Sequence, residues 1–402
     1  MAILNPTYNQ LQSSYVFRHV NQKAAEFVSN NPDKPVLKMG VGNTTLPLAP
    51  MVVSALHEAV NKLADASTYS GYGDELGEAS LRSALADYYH KAYGVALSAD
   101  EFVLSDGAKS DTANIPSIFT PGTTVAVQNP VYPVYVESNV ALGNQIQYMP
   151  CTSETGFVPS APDSAVDIMY LCSPNNPTGT VATREQLQEL VDYANKNSTV
   201  LVFDAAYSAF VRDESLPRSI YEIPGAETCA IEVNSFSKWA GFTGVRLAWT
   251  IVPEALVTGG SNPGEVLARW RRRQLIYFNG PSNIAQAGGL AALTETGISE
   301  CDSLVDYYLE NAHYIKKSLE KSGLEVYGGD NSPYIWVKTP KSLTSWEFFD
   351  KLLDHTQVVT TPGVGFGSEG EGYVRFSAFA SLETTHDAMD RIRTYLSSTD
   401  ET

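Results

Sequence analysis

An α/β architecture, with a mainly parallel sheet and helices on both faces, follows from three observations. Short β-branched or aromatic runs recur at Thr124–Val127, Ile168–Cys172, Val200–Phe203 and Thr228–Val233. Stretches of helical spacing separate them over residues 50–290, such as Leu187, Leu190, Val191 and Ala194 behind the capping-box signature Thr183-Arg184-Glu185-Gln186. Several runs end in polar residues capable of chemistry, where open α/β sheets place their ligands.

The first of these endings is Ser173-Pro174-Asn175-Asn176-Pro177-Thr178-Gly179. The second is Asp204, with Tyr207 three residues on. The third is Ser235-Phe236-Ser237-Lys238, continuing to Arg246. The amine of Lys238 can condense with a carbonyl. Ser235, Ser237 and the planar fork of Arg246 can grip a phosphate. Gly241 and Gly244 allow close backbone approach. A carboxylate such as Asp204 can keep a pyridine nitrogen protonated, and Asn176 and Tyr207 can donate to a phenolic oxygen. Pyridoxal 5'-phosphate used as an electron sink needs partners of these kinds.

In this order and spacing the three motifs resemble the fold-type I pyridoxal-phosphate aminotransferases. The likeness extends from Leu11 to Arg375. It is carried also by Ser105–Lys109 with Asp111, Asn129–Tyr135, Gly71–Gly77, Phe278–Gly280 and Ser332–Pro340, which look like the LL-diaminopimelate aminotransferase branch. The resemblance implies a large domain with a seven-stranded-type sheet over 48–285. A C-terminal small α+β domain over 286–402 would be completed by the N-terminal arm, 1–47.

Within that frame each element has an expected part. The arm has little periodicity; the resemblance puts Tyr15 and Gly42 at substrate contacts. Gly40-Val41-Gly42 is a weak dinucleotide signal, because Pro47 does not suit the helix that would have to follow. Pro50–Ala64 reads as a helix with Pro at its start. By resemblance, Tyr72 reaches a cofactor phosphate and Glu75 the substrate, both across a dimer interface. Glu101–Leu104 reads as a strand feeding Ser105-Asp106-Gly107-Ala108-Lys109 and a helix, hence an anion site. Ala108 and Lys109 would give phosphate their amides, and the Lys109 side chain would meet a substrate carboxylate. Tyr132, between Pro130 and Pro133, is placed to stack on the pyridine ring. Asn279 would contribute to the partner subunit's site.

Beyond about residue 285 the pattern changes. A helix is expected over 303–322, strands over 334–337 and 372–377, a helix capped by Thr344, and a last helix carrying Met389, Ile392 and Leu396. Arg375 is the residue here assigned to chemistry, as a bidentate fork for the substrate α-carboxylate. Read without the resemblance, Tyr15 and Tyr132 are core or interface aromatics, Tyr72 an exposed turn residue, and Arg375 a strand arginine in an ion pair.

Composition narrows the function. A net charge of −18 argues against nucleic acid or an anionic membrane surface as partners, and no apolar run approaches a membrane span. The cluster Arg269–Arg273 is too short and isolated to alter that. Cys151, Cys172, Cys229 and Cys301 are widely spaced, form no metal motif, and read as reduced core thiols in a cytoplasm-like compartment. No secretory signal is read in the first twenty residues; a plastid location would require a transit peptide already removed.

The expected activity is transamination between LL-2,6-diaminopimelate and 2-oxoglutarate, giving tetrahydrodipicolinate and glutamate, by a homodimer with shared active sites. Ala108, Asn43, Leu46 and Tyr277 depart from the residues common in that branch. Three alternatives stay open: an aminotransferase for lysine or another amino acid, a pyridoxal-phosphate lyase, and a non-catalytic binding protein.

Overall fold

The computed structural model describes residues 2–11, 16–340 and 343–398. A seven-stranded sheet forms its centre. The strands are β2 (Phe102–Ser105), β3 (Thr124–Asn129), β4 (Gln145–Pro150), β5 (Ile168–Cys172), β6 (Val200–Asp204), β7 (Ala230–Ser235) and β8 (Ala248–Ile251), in spatial order β2-β8-β7-β6-β5-β3-β4. Only β8 runs antiparallel to its neighbours. Strands β5, β6 and β7 are buried throughout, as a sheet covered on both faces requires.

Register fixes where the chemistry collects. Cys172 pairs with Asp204, and Asp204 with Val233. Ser235 and Ser105 both pair with Ala248. The segments after β2, β3, β5, β6 and β7 therefore leave the same edge of the sheet, the one at its carboxyl ends.

Helices cover the sheet. Among them, α2 is Pro50–Lys62, α3 is Ala79–Tyr93, α4 is Ala108–Asn114, α5 is Val134–Leu142 and α6 is Arg184–Asn197. The capping box at Thr183 is formed, and Leu187, Leu190, Val191 and Ala194 are all buried. Each of the three larger side chains contributes about 1.5–3 kcal/mol by leaving water. After β7 comes a one-turn helix, α7 (Phe236–Trp239), then α8 (Glu265–Tyr277), α9 (Asn283–Ala292) and the long α10 (Glu295–Lys321).

A second sheet has the order β12-β13-β10-β9, from β9 (Val326–Gly328), β10 (Tyr334–Lys338), β12 (Thr361–Pro362) and β13 (Tyr373–Ser377), all antiparallel. Helices α11 (Ser345–Thr356) and α12 (Leu382–Ser398) pack with it. The segment β1 (Leu37–Lys38) pairs in parallel with β11 (Val358–Val359), which ties the N-terminal region to this unit. The glycine-rich stretch 362–372 forms two short 3₁₀ turns.

One local expectation fails. The N-terminal region is no irregular arm, because α1 (Val16–Asn30) is a four-turn helix. Val16, Val20 and Ala24 recur every four residues and bury against Phe349, Leu353 and Val359. That spacing was readable, but His19, Asn21 and Gln22 interrupt it with polar residues.

A buried carboxylate under the sheet makes stability pH-dependent. Glu232 accepts hydrogen bonds from Tyr89 Oη (2.5 Å), Ser219 Oγ (2.6 Å) and Ile220 N (3.0 Å). Burial outweighs these donors and pushes its carboxyl up to about 7. The native state therefore holds this proton where the unfolded chain, with an ordinary glutamate near ~4.3, has lost it. Stability from this group declines as pH rises from about 4 to 7. Thermal melts of Glu232→Gln are expected to show a smaller drop in Tm between pH 5.5 and 7.5 than the parent.

Candidate active site

A cavity of about 830 Å³ opens at the carboxyl edge of the large sheet, where that edge meets β10 and β13. It is lined by Gly42, Ala108, Lys109, Tyr132, Asn176, Asp204, Tyr207, Ser235, Ser237, Lys238, Arg246 and Arg375, all named from sequence. Five cations line it, Lys38 among them, and a single carboxylate, Asp204. In a chain of net charge −18 the cavity is thus locally positive, which favours anionic ligands.

Lys238 lies on α7, one turn beyond β7. Ser235 caps that turn, its Oγ accepting from Ser237 N at 3.2 Å. The Lys238 amine donates to the carbonyl oxygen of Gly42 and sits 5.2 Å from the centroid of Phe379. Burial, followed by the positive charges of Arg375 and Arg246, pushes its pKa down to about 7. A substantial share is therefore the unprotonated amine at neutral pH, the form that attacks carbonyls and accepts protons.

Arg246 has a left-handed backbone, φ 71°, a strained state for a residue with a Cβ. Its guanidinium donates to Ser237 Oγ (3.4 Å) and Thr243 O (3.2 Å). It also packs on Gly107, whose φ is 153° and where an added Cβ would lie 1.9 Å from Arg246 Nη2. Gly107 caps α4, so Arg246, the hydroxyls of Ser235 and Ser237, and the first turn of α4 with Ala108 and Lys109 share one end of the site. First-turn amides have no acceptor inside their own helix, which suits a phosphate. Gly107→Ala should displace the guanidinium and weaken pyridoxal 5'-phosphate binding by on the order of tenfold or more. Equilibrium dialysis with the cofactor checks this.

Asp204 ends β6, buried. Its Oδ2 accepts from Tyr135 Oη and its Oδ1 from Ala206 N at 3.0 Å. Burial raises its pKa, opposed by these two donors. No basic side chain among the described residues forms an ion pair with it. A buried carboxylate facing a cavity without a cation partner is the environment a protonated ring nitrogen completes. Tyr132 lines the same cavity, with the Lys109 amine 5.9 Å from its ring centroid. Tyr207 Oη lies 2.8 Å from Tyr334 Oη.

Arg375, on β13, is 1% exposed. It donates to Asn176 Oδ1 at 2.5 Å and to Gly40 O at 2.6 Å. The ring of Tyr334 lies 4.4 Å from the guanidinium carbon and that of Phe366 4.8 Å. A surface position is thereby excluded: the guanidinium is buried and packs against the carbonyl of Gly40, the amide oxygen of Asn176 and aromatic faces.

Three residues named from sequence do not reach this cavity within their own chain. Tyr72 is 89% exposed, and Glu75 and Asn279 are exposed too. The segments that carry them nonetheless meet. Asn283 Nδ2 donates to Ser70 Oγ (3.1 Å) and Gly71 O (3.0 Å), and a Cβ on Gly280 would lie 2.6 Å from Asp74 O. Tyr15 lies outside the described residues. Sequence reasoning gave no role to Tyr135, Tyr334 or Phe379. The first two stand inside quoted motifs, but their contacts exist only once β6, β10 and β13 are placed.

The fold and the lysine-centred cavity define a transaminase, and residues 34–392 match the family described as aminotransferase class I and II, to which the chain belongs. Within that family it is similar to the LL-diaminopimelate aminotransferase of Agathobacter rectalis, with 48% identity over 97% of this chain and 99% of that one. The protein of the same name from Lachnospira eligens is 46% identical over the same shares. The solved L,L-diaminopimelate aminotransferase of Chlamydomonas reinhardtii superposes with a TM-score of 0.92 at 43% identity, covering 98% of each chain.

Proposed function

We propose that this chain binds pyridoxal 5'-phosphate and moves an amino group between LL-2,6-diaminopimelate and 2-oxoglutarate, forming tetrahydrodipicolinate and glutamate in lysine biosynthesis. The observation that carries the chemistry is that one cavity is lined by the buried Lys238 amine, the arginines Arg246 and Arg375, and a buried Asp204 without a cation partner among the described residues. Similarity to relatives of that name over nearly the whole chain supports the substrate.

When bound, the cofactor supplies an aldehyde and an electron-withdrawing ring. Ser235, Ser237, Arg246 and the first turn of α4 would hold its phosphate. Asp204, backed by Tyr135, would hold the ring nitrogen. Asn176 and Tyr207 would meet the phenolic oxygen, and Tyr132 the ring face. Arg375 orients the amino acid by its α-carboxylate. Lys238 holds the cofactor at rest and, once displaced, carries a proton to and from the substrate α-carbon. Aromatic faces of Tyr132, Tyr334 and Phe379 exclude water.

The second half of the site comes from a second copy of the chain. Tyr72, Glu75 and Asn279 lie on two segments that meet at Asp74 and Gly280, and the same segments carry Tyr69, Leu275, Ile276 and Tyr277, all exposed apolar or aromatic groups. An apolar patch of this kind suits a partner subunit, which would receive Glu75 and Asn279 in its cavity. Four buried cysteines without disulfides accord with a cytoplasmic setting, and no helix of the described residues is long and apolar enough to cross a membrane.

A second reading, an aminotransferase for lysine or another amino acid, is favoured by one feature. Asn43 lines the cavity where a carboxylate is common in the resembled branch. Comparing kcat/KM for LL-diaminopimelate and L-lysine decides between them. The proposal expects LL-diaminopimelate to lead by on the order of 10⁴-fold, the scale of a site built to pair a polar group that its competitor lacks; a lead for lysine would overturn it.

A further inference from the structure

Lys238 stands on a helix too short to hold its own pitch. A single turn has almost no internal hydrogen-bond ladder, so its orientation must come from tertiary contacts. Phe236 N donates to Leu247 O at 3.1 Å at the start of the turn, and Trp239, the residue after Lys238, supplies the side-chain contacts at its end. It is 4% exposed. Its ring lies between Phe236 (centroids 6.0 Å apart, planes at 23°) and Tyr88 on α3 (5.4 Å, 31°). Its indole N–H donates to Asp302 Oδ1 on α10 at 3.0 Å.

The same turn of α10 receives a second strut. Arg212 donates from Nη2 to Asp306 Oδ1 (2.7 Å) and to the Asp302 carbonyl oxygen (3.5 Å), and from Nη1 to Ala209 O (2.8 Å). Arg212 follows the turn that carries Tyr207, and Trp239 belongs to the turn that carries Lys238. One stretch of one long helix therefore aligns both. Asp302 lies outside the cavity lining and can act only through its neighbours.

We propose that Asp302 is a positioning residue for Lys238, acting through the indole of Trp239. The inference rests on the reading of Lys238 as the amine that holds the cofactor and moves the substrate proton. The hydrogen bond fixes rotation of the α7 turn, which the flat ring contacts alone leave free to slide. A displacement of the amine by about 1 Å costs on the order of a hundredfold in rate.

The test uses the full chain loaded with pyridoxal 5'-phosphate and the variants Asp302→Ala, Asp302→Asn, Trp239→Phe and the Trp239→Phe/Asp302→Ala pair. Three readouts are taken: kcat and KM, the pH midpoint of the cofactor's visible absorbance, and borohydride trapping with mass mapping to Lys238. Asp302→Ala and Trp239→Phe should each lower kcat about tenfold to a hundredfold, with KM within about twofold, and shift the pH midpoint alike. The double variant should be no worse than either single, and Asp302→Asn, whose amide oxygen still accepts, should stay within about threefold of the parent. Wild-type kcat and midpoint in Asp302→Ala, or losses that add in the double variant, would overturn the proposal. A lowered Tm with an unchanged midpoint would do the same, since it shows a merely structural part. Failure to trap the parent at Lys238 would instead remove the reading of the site, and the inference with it.

Discussion

Replacing Lys238 by alanine abolishes amino transfer while leaving the fold intact. The loss should be at least on the order of 10⁴-fold in kcat, because the same amine anchors the cofactor and carries the proton. Stability should move the other way. The amine titrates near 7 in the folded chain, against about 10.4 for a free lysine. Between those values the unfolded chain binds a proton that the native one refuses, so the lysine weakens the cofactor-free protein. That cost is complete below about pH 7 and vanishes above about pH 10.5. Cofactor-free Lys238→Ala is therefore expected to melt at or above the parent's temperature at pH 7, with the gap closing towards pH 10.5. Thermal melts across that range, with a turnover assay on the same samples, check both halves.

Changing Arg375 to lysine keeps the charge and loses the fork. Arg375 is aimed by Asn176 Oδ1 and Gly40 O and framed by aromatic rings, so an ammonium can replace only part of its geometry. Charge-assisted hydrogen bonds of this kind contribute about 1.5–3 kcal/mol each. Losing one to two of them at the α-carboxylate, about 1.5–6 kcal/mol, should lower kcat/KM by roughly 10–10⁴. Arg375→Ala goes further: it leaves Asn176 Oδ1 without its donor at about 1–3 kcal/mol, although Gly40 O keeps Thr361 Oγ1, and should also lower Tm. The decisive comparison is kcat/KM for an amino acid against its α-amide. The parent should discriminate strongly and Arg375→Lys weakly.

The parts legible in the sequence were those that a single strand end decides. Asp204, Ser235 and Lys238 follow buried runs directly, and parallel register then brings them to one edge. Thr183 and Thr344 announced their helices because a capping box is local chemistry. What could not be read depends on segments far apart in the chain. Tyr135 reaches Asp204 across 69 residues, and Tyr334 meets Tyr207 across 127. Strand β8 was missed because Ala248-Trp249-Thr250-Ile251 is short and directly follows a polar loop. It lies between β2 and β7, antiparallel to both, so that β2, and with it the phosphate turn, points the same way as β7. Tyr72, Glu75 and Asn279 gave a third kind of gap. The segments that carry them meet on the surface and not in their own chain's cavity, so within one chain they have no part in the site.

This cavity is expected to perform a reversible half-transamination on LL-diaminopimelate. The most direct test follows the visible spectrum of the protein loaded with pyridoxal 5'-phosphate as LL-diaminopimelate is added without any keto acid. The account predicts that the yellow band near Lys238 is lost in stoichiometric proportion and returns when 2-oxoglutarate is added, with one glutamate formed per site. A yellow protein whose spectrum ignores LL-diaminopimelate but responds to lysine would contradict the substrate. One that stays colourless when the cofactor is supplied would contradict the chemistry itself.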